Sequence, residues 1–501
     1  MNEKIKKIVI VGGGTAGWMT AARLSKAFTK ELCEIHLIES PDIPTVGVGE
    51  ATIPHVRHFN TALEIDDDEF VKHTQGTFKL GIEFVGWGKP GERYMHAFGD
   101  LGRDMLNLHF HHFWQKMHAQ GKAEPFGAYS YNTAAAYQNR FMRSIEAGNS
   151  PLSNITYAYQ FDANLYADFL RDYALKRGVT RTEATVAQVN LNANDGFISG
   201  VSLNSGEQIT GDFFVDCSGF KALLIDKALG VDFVDWSEYL PCDRAWAVAC
   251  ENKGELKPYT QSIAQPAGWQ WRIPLQHRTG NGHVFSSKFM AEDEAREILL
   301  NNLDGKALAE PRLLKFKAGK REKFWHKNCV AIGLSSGFLE PLESTSIHLI
   351  QTAIDRLLAH FPDRNCDPTV TAHYNENTHR EYDSVRDFLI LHYHVNQRDD
   401  SDFWRYCRNM KIPDTLKARI DLFRASGQIY CSKDDLFSAV SWVEVLLGQN
   451  ITPQSYHPLV DSMAESDIAL RLERIKGVVD ASVEHTSKHA EYIQRTCAAK
   501  N

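Results

Sequence analysis

Apolar residues change rhythm three times in the first forty positions. Ile8-Val9-Ile10-Val11 is an unbroken, mostly β-branched run that predicts a buried strand, stopped by Gly12. From residue 15 to about 28 the apolar positions Ala21, Ala22, Leu24, Ala27 and Phe28 recur at three- and four-residue spacing among good helix formers, and predict a helix. A second strand is expected over residues 35–38, ending at Glu39. A third apolar run, Phe213-Phe214-Val215, leads into Asp216-Cys217-Ser218-Gly219. Strand, glycine turn, helix and strand in this order frame a dinucleotide-binding α/β fold.

Later patterns differ. Trp269-Gln270-Trp271-Arg272-Ile273-Pro274 reads as an extended strand with both indoles on one side. Ile350, Ile354, Leu357, Leu358 and Phe361 mark one face of a helix that begins just after Glu343-Ser344-Thr345-Ser346. Beyond residue 350 the pattern is mainly helical, with helices expected at 403–407, 414–426 and 434–447. Ser432 and Asp435 would form a capping pair for the last of these.

Composition narrows the partners. The 501 residues are 43% hydrophobic, enough for a sizeable core, and the length allows about three domains. A formal charge of -8 offers no basic field for nucleic acid or anionic lipid, so a small-molecule substrate is expected. Nine cysteines without a C-x-x-C pair suit a reducing compartment rather than a disulfide framework or zinc knuckle. The N-terminal apolar run leads straight into the glycine turn and reads as structure, not as a signal peptide. No run approaches the roughly eighteen apolar residues of a spanning helix, and a cytoplasmic location is expected. The histidines of Leu108-His109-Phe110-His111-His112-Phe113-Trp114 and of His392-Tyr393-His394 lack acid or cysteine partners at ligand spacing. Aromatic packing is expected there, and no metal.

The glycine turn Gly12-Gly13-Gly14-Thr15-Ala16-Gly17 assigns separate tasks: Gly12 the tight turn, Gly14 close approach of a pyrophosphate, Gly17 close packing of helix on strand. The helix amides after it would face the phosphates. Glu39, about twenty residues on, would accept from a ribose hydroxyl, which argues against a 2′-phosphate and so against NADP. The competing reading is a merely tight strand–helix turn. The turn alone does not separate FAD from NAD, but Asp216-Cys217-Ser218-Gly219 resembles the second nucleotide contact of glutathione-reductase-like flavoproteins and favours FAD.

Further motifs accumulate in order: Val48-Gly49-Glu50-Ala51-Thr52-Ile53-Pro54, Lys79-Leu80-Gly81-Ile82, His96-Ala97-Phe98-Gly99, the W-Q-W-R-I-P strand, and Gly337-Phe338-Leu339-Glu340-Pro341-Leu342-Glu343-Ser344-Thr345. In content and order they resemble the flavin-dependent tryptophan halogenase family. The resemblance covers nearly the whole chain and is densest up to about residue 360. It implies a glutathione-reductase-like FAD-binding fold interleaved with a substrate region and a mainly helical C-terminal region. The expected organisation is residues 1–350 as the FAD-binding domain with inserted substrate segments, and 351–501 as a helical region covering the substrate.

The chemistry implied by the resemblance starts with FADH2 from a separate flavin reductase. With O2 and halide it yields hypohalous acid, which travels to a lysine beside an electron-rich aromatic, indolic substrate. Lys79 matches that lysine, either hydrogen-bonding the acid as an ammonium or forming a haloamine as a free amine. Glu343 matches the acid/base partner, which would take up the proton lost on halogenation or steady the ammonium, and which alternatively reads as a helix cap. Halide would sit at the backbone amides of Thr345 and Ser346, with Ile347 against the cofactor. Ser346 stands where many tryptophan-specific members have glycine, which keeps the amide but narrows backbone freedom. Gly49, Glu50 and Ala51 would lie over the flavin, and Val186 and Leu334 in stretches that contact it. His96 and Phe98 would surround the substrate. Trp269 and Trp271, having no acid or base, would act by bulk, keeping substrate from flavin. An aromatic hydroxylase of the same fold, or a flavin-binding protein without turnover, remains an alternative on the sequence. Trp442 and Phe437 read as helix core or entrance lining, and indole or a larger indole-bearing molecule is as compatible as free tryptophan.

Overall fold

The computed structural model describes residues 3–41, 49–432 and 435–499. The chain passes repeatedly between two compact units: residues 1–76, 161–237 and 316–383 form the first, and 77–160, 238–315 and 384–501 the second. The division expected at residue 350 falls inside the helix Ser346–Ala359, which belongs to the first unit.

In the first unit a six-stranded sheet runs in the order Trp325–His326, Cys329–Ala331, Phe213–Asp216, Lys7–Val11, Glu34–Glu39, Thr180–Glu183. Every neighbouring pair is parallel except the short outer hairpin. Lys7–Val11 lies inside the sheet, and its β-branched run is continuous because both faces are covered: Ile8, Val9 and Ile10 are wholly buried. Val9, Val11 and Phe214 share an apolar cluster with Val201, Leu203 and Ile209 of a small antiparallel sheet. The helix Thr15–Ala27 starts where the sequence places it and packs on the helices Ala163–Lys176 and Ser346–Ala359.

The second unit is built on a seven-stranded sheet in the order Arg312–Lys315, Arg244–Cys250, Thr279–Phe285, Gly268–Pro274, Thr260–Gln265, Gly81–Val85, Arg93–Ala97. Its neighbours are antiparallel except Thr260–Gln265 beside Gly81–Val85. The helices expected at 403–407 and 414–426 appear as Asp402–Asn409 and Asp414–Ser426. The last expected helix is corrected. It spans Ala439–Gly448 and is capped by Ser438, whose side chain accepts from the Ser441 amide. Ser432 does not cap it: Asp435 accepts from the Ser432 amide (3.0 Å), the backward bond of a capping box, and from Arg419 (3.1 Å), but residues 435–438 form no helix. Residues 433 and 434 lie outside the described residues.

Candidate functional site

The glycine turn in the first unit is built as a cradle. Gly12 has φ +119°, and a Cβ there would lie 2.1 Å from the Cys217 carbonyl oxygen; one at Gly17 would lie 1.8 Å from the Gly12 carbonyl oxygen. These two positions are closed by the protein's own backbone. Gly14 differs, since a Cβ there would meet nothing within 4 Å, and as N-cap of Thr15–Ala27 it offers no side chain to the first-turn amides. Open space in front of uncapped helix amides fits a phosphate-bearing dinucleotide. Thr15 and Ala16, both half-buried, begin the helix, and Ala16 abuts Gly333.

Glu39 ends its strand beside this turn, where its carboxylate accepts from the Trp18 indole (3.3 Å) and pairs with Arg181. Arg181 comes from a strand 142 positions later and has no local signature near Glu39. Asp216 is turned inward: its carboxylate accepts from the amides of Ser218 (3.0 Å), Leu224 (2.8 Å) and Ile225 (2.9 Å) and from the Ser218 hydroxyl (2.6 Å). Burial raises its pKa against the pull of those four hydrogen bonds. Its side chain holds the following turn together with the Ser218 hydroxyl, which also accepts from the Leu223 amide (2.8 Å). Val186 is half-buried against the apolar cluster of this unit, while Leu334 is 40% exposed. Gly49 and Ala51 lie in the short strand Gly49–Ala51; Val48 lies outside the described residues.

Near the end of the first unit the turn Pro341–Glu343 is followed by Ser344 at φ +58°, a left-handed residue that redirects the chain into Ser346–Ala359. Thr345, the N-cap, makes no side-chain cap, and its buried hydroxyl has no hydrogen-bond partner among the described residues. Uncapped amides at the head of a fourteen-residue helix form a natural seat for an anion. Glu343 and Ile347 are buried on either side of that turn, and Ser346 is half-buried.

In the second unit Lys79 is wholly buried at the end of Thr77–Lys79. Strong ties fix this strand. It pairs antiparallel so that Lys79 faces Ala158, Thr77 donates to the Pro274 carbonyl (2.7 Å), and Phe78 stacks on Phe141 at 4.1 Å. The Phe78 amide donates to His489 Nε2 (3.2 Å), whose Nδ1 donates to the Leu256 carbonyl (3.1 Å); these partners select the neutral Nδ1–H tautomer, and burial pushes His489 down to about 4. Lys79 Nζ lies 5.3 Å from the centre of the Phe98 ring. The Phe98 amide donates to the Leu80 carbonyl (2.8 Å), and His96 pairs in register with Ile82. Lys79 and Phe98 therefore lie side by side, and His96 stands two residues before Phe98 in the strand Arg93–Ala97. His96 also touches Phe388 (5.5 Å) and Phe437 (6.2 Å), and Phe437 stacks on Phe388 at 3.8 Å beside the wholly buried Trp442.

The two indoles of Gly268–Pro274 lie on one side, with centroids 6.2 Å apart. Trp269 is 1% exposed and Trp271 8%. Trp271 lies over Gly282 of the next strand, where a Cβ would meet its ring at 2.1 Å. The Thr77–Pro274 hydrogen bond ties this strand to the lysine strand. The histidine run behaves as packing: His111 bonds the Gly427 carbonyl and its ring lies 4.2 Å from that of His112.

A parallel sheet with a glycine cradle and a terminal acid defines a dinucleotide-binding oxidoreductase fold, and a buried lysine among aromatics adds chemistry that such folds do not require. The tryptophan halogenase family model matches residues 7–465. The chain is 38% identical to the tryptophan 7-halogenase RebH of Lentzea aerocolonigenes, over 87% of this chain and 85% of that protein. Among solved structures it is similar to Xcc4156, a flavin-dependent halogenase from Xanthomonas campestris (TM-score 0.96, 46% identity, 99% of both chains). It is also similar to BrvH, a flavin-dependent halogenase from Brevundimonas sp. BAL3 (TM-score 0.94, 45% identity, 98% and 99% of the two chains). The chain belongs to the tryptophan halogenase family, and is an enzyme of the flavin-dependent halogenase class.

Proposed function

We propose that this protein is the halogenating component of a two-component system that takes FADH2 from a separate flavin reductase and halogenates an indolic substrate. The observation that carries the reading is a lysine buried to 0% exposure, held by a strand tied to the W-Q-W-R-I-P segment, with the Phe98 ring beside its amine. Gly12, Gly14, Gly17, Thr15, Ala16 and Glu39 would hold the dinucleotide, with Gly49, Ala51, Val186, Leu334 and Ile347 around it. When bound, the reduced flavin with O2 and halide supplies hypohalous acid.

The protein's own groups do the rest. Amides of Thr345 and Ser346 hold the halide, since a helix N-terminus carries roughly half a positive charge and the first amides lack internal partners. Lys79 holds the active halogen by an N–H donor or an N–halogen bond, at a position closed to bulk solvent. Glu343 takes the proton released when the aromatic ring regains aromaticity. Trp269 and Trp271 exclude the substrate from the flavin by bulk. His96 and Phe98 orient the aromatic substrate, and the stacked Phe388 and Phe437 beside His96 favour a flat apolar ring system over a charged amino-acid group.

The test is incubation with FAD, NADH, a generic flavin reductase and chloride or bromide against a panel of indoles, read by isotope pattern. Halide-dependent product masses support the reading. FAD that is bound and reduced without any halogenated product across the panel, or with hydroxylated product, refutes it.

A further inference from the structure

Two large apolar side chains of the first unit stand in water beside the glycine cradle: Phe220 is 50% exposed and Leu334 40%. Phe220 is not a loose loop tip. It lies in the turn Gly219–Lys221, bracketed by Gly219 at φ +69° and by the wholly buried Ala222 at φ +45°, a left-handed conformation that an alanine keeps only where its surroundings dictate it. They do so here: the Asp216 carboxylate accepts from the Leu224 and Ile225 amides just beyond, and the Ser218 hydroxyl from that of Leu223. A scattered exposed apolar residue calls for no explanation, but a backbone fixed so as to turn a phenylalanine outward does.

The position of the turn supplies one. It packs against the turn Gly333–Ser335, whose Ser335 hydroxyl donates to the Asp216 carbonyl. A Cβ on Gly12 of the cradle would lie 3.0 Å from the Ser218 amide nitrogen, so the cradle and this turn are in contact. A Cβ on Gly333 would lie 2.7 Å from that of Ala16 in the cradle helix and 3.7 Å from Cγ1 of Ile350 in Ser346–Ala359. Gly333 therefore marks the junction where the phosphate-binding helix meets the helix whose head is read as the halide seat, and Leu334 is exposed at that junction. Phe338, half-buried, extends the apolar surface. Its ring lies 5.4 Å from that of Phe220, edge to face, and 4.8 Å from that of Phe316, and the chain runs on from it through Pro341–Glu343 to Thr345.

We propose that Phe220, Leu334 and Phe338 form an apolar ledge that seats the isoalloxazine ring of FAD, with Phe220 as the outermost residue that sets its affinity. This rests on reading Gly12–Gly17 as the dinucleotide cradle and the Thr345 and Ser346 amides as the halide seat. A flavin spanning those two sites has to pass the junction at Gly333. Its flat tricyclic ring is the part able to cover exposed apolar side chains, since phosphates and ribose are met by helix amides and Glu39. Covering them removes apolar surface from water without any new polar contact. One aromatic contact of this kind corresponds to roughly tenfold in affinity.

The experiment is calorimetric binding of FAD, and of ADP, which lacks the flavin ring, to the cofactor-free full-length protein. Phe220→Ala is expected to bind FAD roughly tenfold more weakly than wild type and ADP within about twofold, with the Tm of the cofactor-free protein unchanged because the side chain already stands half in water. Phe220→Tyr, which keeps the ring, is expected to bind FAD within about threefold of wild type. Phe220→Ala binding FAD as tightly as wild type overturns the proposal and leaves the patch to a protein partner. An equal loss for FAD and ADP also overturns it, because the turn's shape and not the ring contact would then be at stake. If Phe220→Ala does not fold, Leu334→Ala decides by the same pair of ligands. Wild type that binds neither FAD nor ADP refutes the cradle reading itself.

Discussion

Gly282→Ala tests whether the Trp271 indole is held as tightly as a barrier must be. A Cβ at residue 282 would lie 2.1 Å from two ring carbons of Trp271 and 2.6 Å from a third. That is roughly 1.4 Å short of a normal carbon–carbon contact of about 3.5 Å. Neither strand yields easily, because Trp271 and Gly282 are register partners in the interior of the seven-stranded sheet. The indole must therefore tilt, against a Trp269 that is itself buried at a centroid distance of 6.2 Å. Overpacking of this kind costs about 1–3 kcal/mol. At about 2–4 °C per kcal/mol for units of this size, Tm should fall by about 2–12 °C. The functional readout is coupling: halogenated product per NADH consumed should fall severalfold while hydrogen peroxide rises. In the Gly282→Ala, Trp271→Leu double variant Tm should recover and coupling should not. A single variant with unchanged Tm and coupling would refute the placement of the indole and its barrier role together.

Other expectations follow from the same geometry. Lys79→Met should lower product formation by at least about a thousandfold while FAD affinity, measured by flavin fluorescence, stays within about twofold. Gly14→Ala should leave the Tm of the cofactor-free protein unchanged, since the added methyl meets nothing, yet weaken FAD binding about tenfold or more; Gly12→Ala should destabilise the cofactor-free protein itself, because its Cβ would meet the Cys217 carbonyl at a left-handed φ. Burial pushes His111, His283 and His489 down to about 4. Each is neutral in the fold and takes up its proton more readily when unfolded, so its contribution is complete above about pH 6.5 and is lost as pH falls from there toward 4, at most on the order of 3 kcal/mol apiece. Urea unfolding of the cofactor-free protein should show this decline, and a stability that is flat between pH 7 and 4.5 would contradict it.

What the sequence displayed and what it concealed divide along physical lines. The strand before Gly12, the helix Thr15–Ala27 and the helix Asp414–Ser426 were legible because periodicity and turn chemistry act within a dozen residues. The tight turn at Gly12 and the close packing at Gly17 were legible for the same reason, and the pairing of Gly81–Val85 with Arg93–Ala97 as neighbours in sequence is what brings Phe98 beside Lys79. What escaped is carried by contacts between distant positions. His489 supports the lysine strand from 411 residues away, Thr77 reaches Pro274 across 197, and Arg181 meets Glu39 across 142. None of these has a local signature. The interleaving itself was expected, but not the points at which the chain crosses from one unit to the other. The helix starts late, at Ala439, because Ser438 supplies the cap there, a second serine that local pattern passed over in favour of Ser432 and Asp435.

The central claim is that this chain transfers halogen through Lys79 to an indolic ring. The most direct measurement compares wild type and Lys79→Met, both loaded with FAD and supplied with reductase, NADH, O2 and bromide, by mass spectrometry of an indole substrate. The account predicts the paired isotope peaks of a brominated product from the wild type alone, with equal flavin reoxidation in both proteins. Brominated product from the Lys79→Met variant, or an oxygenated product in place of a brominated one from the wild type, would contradict it.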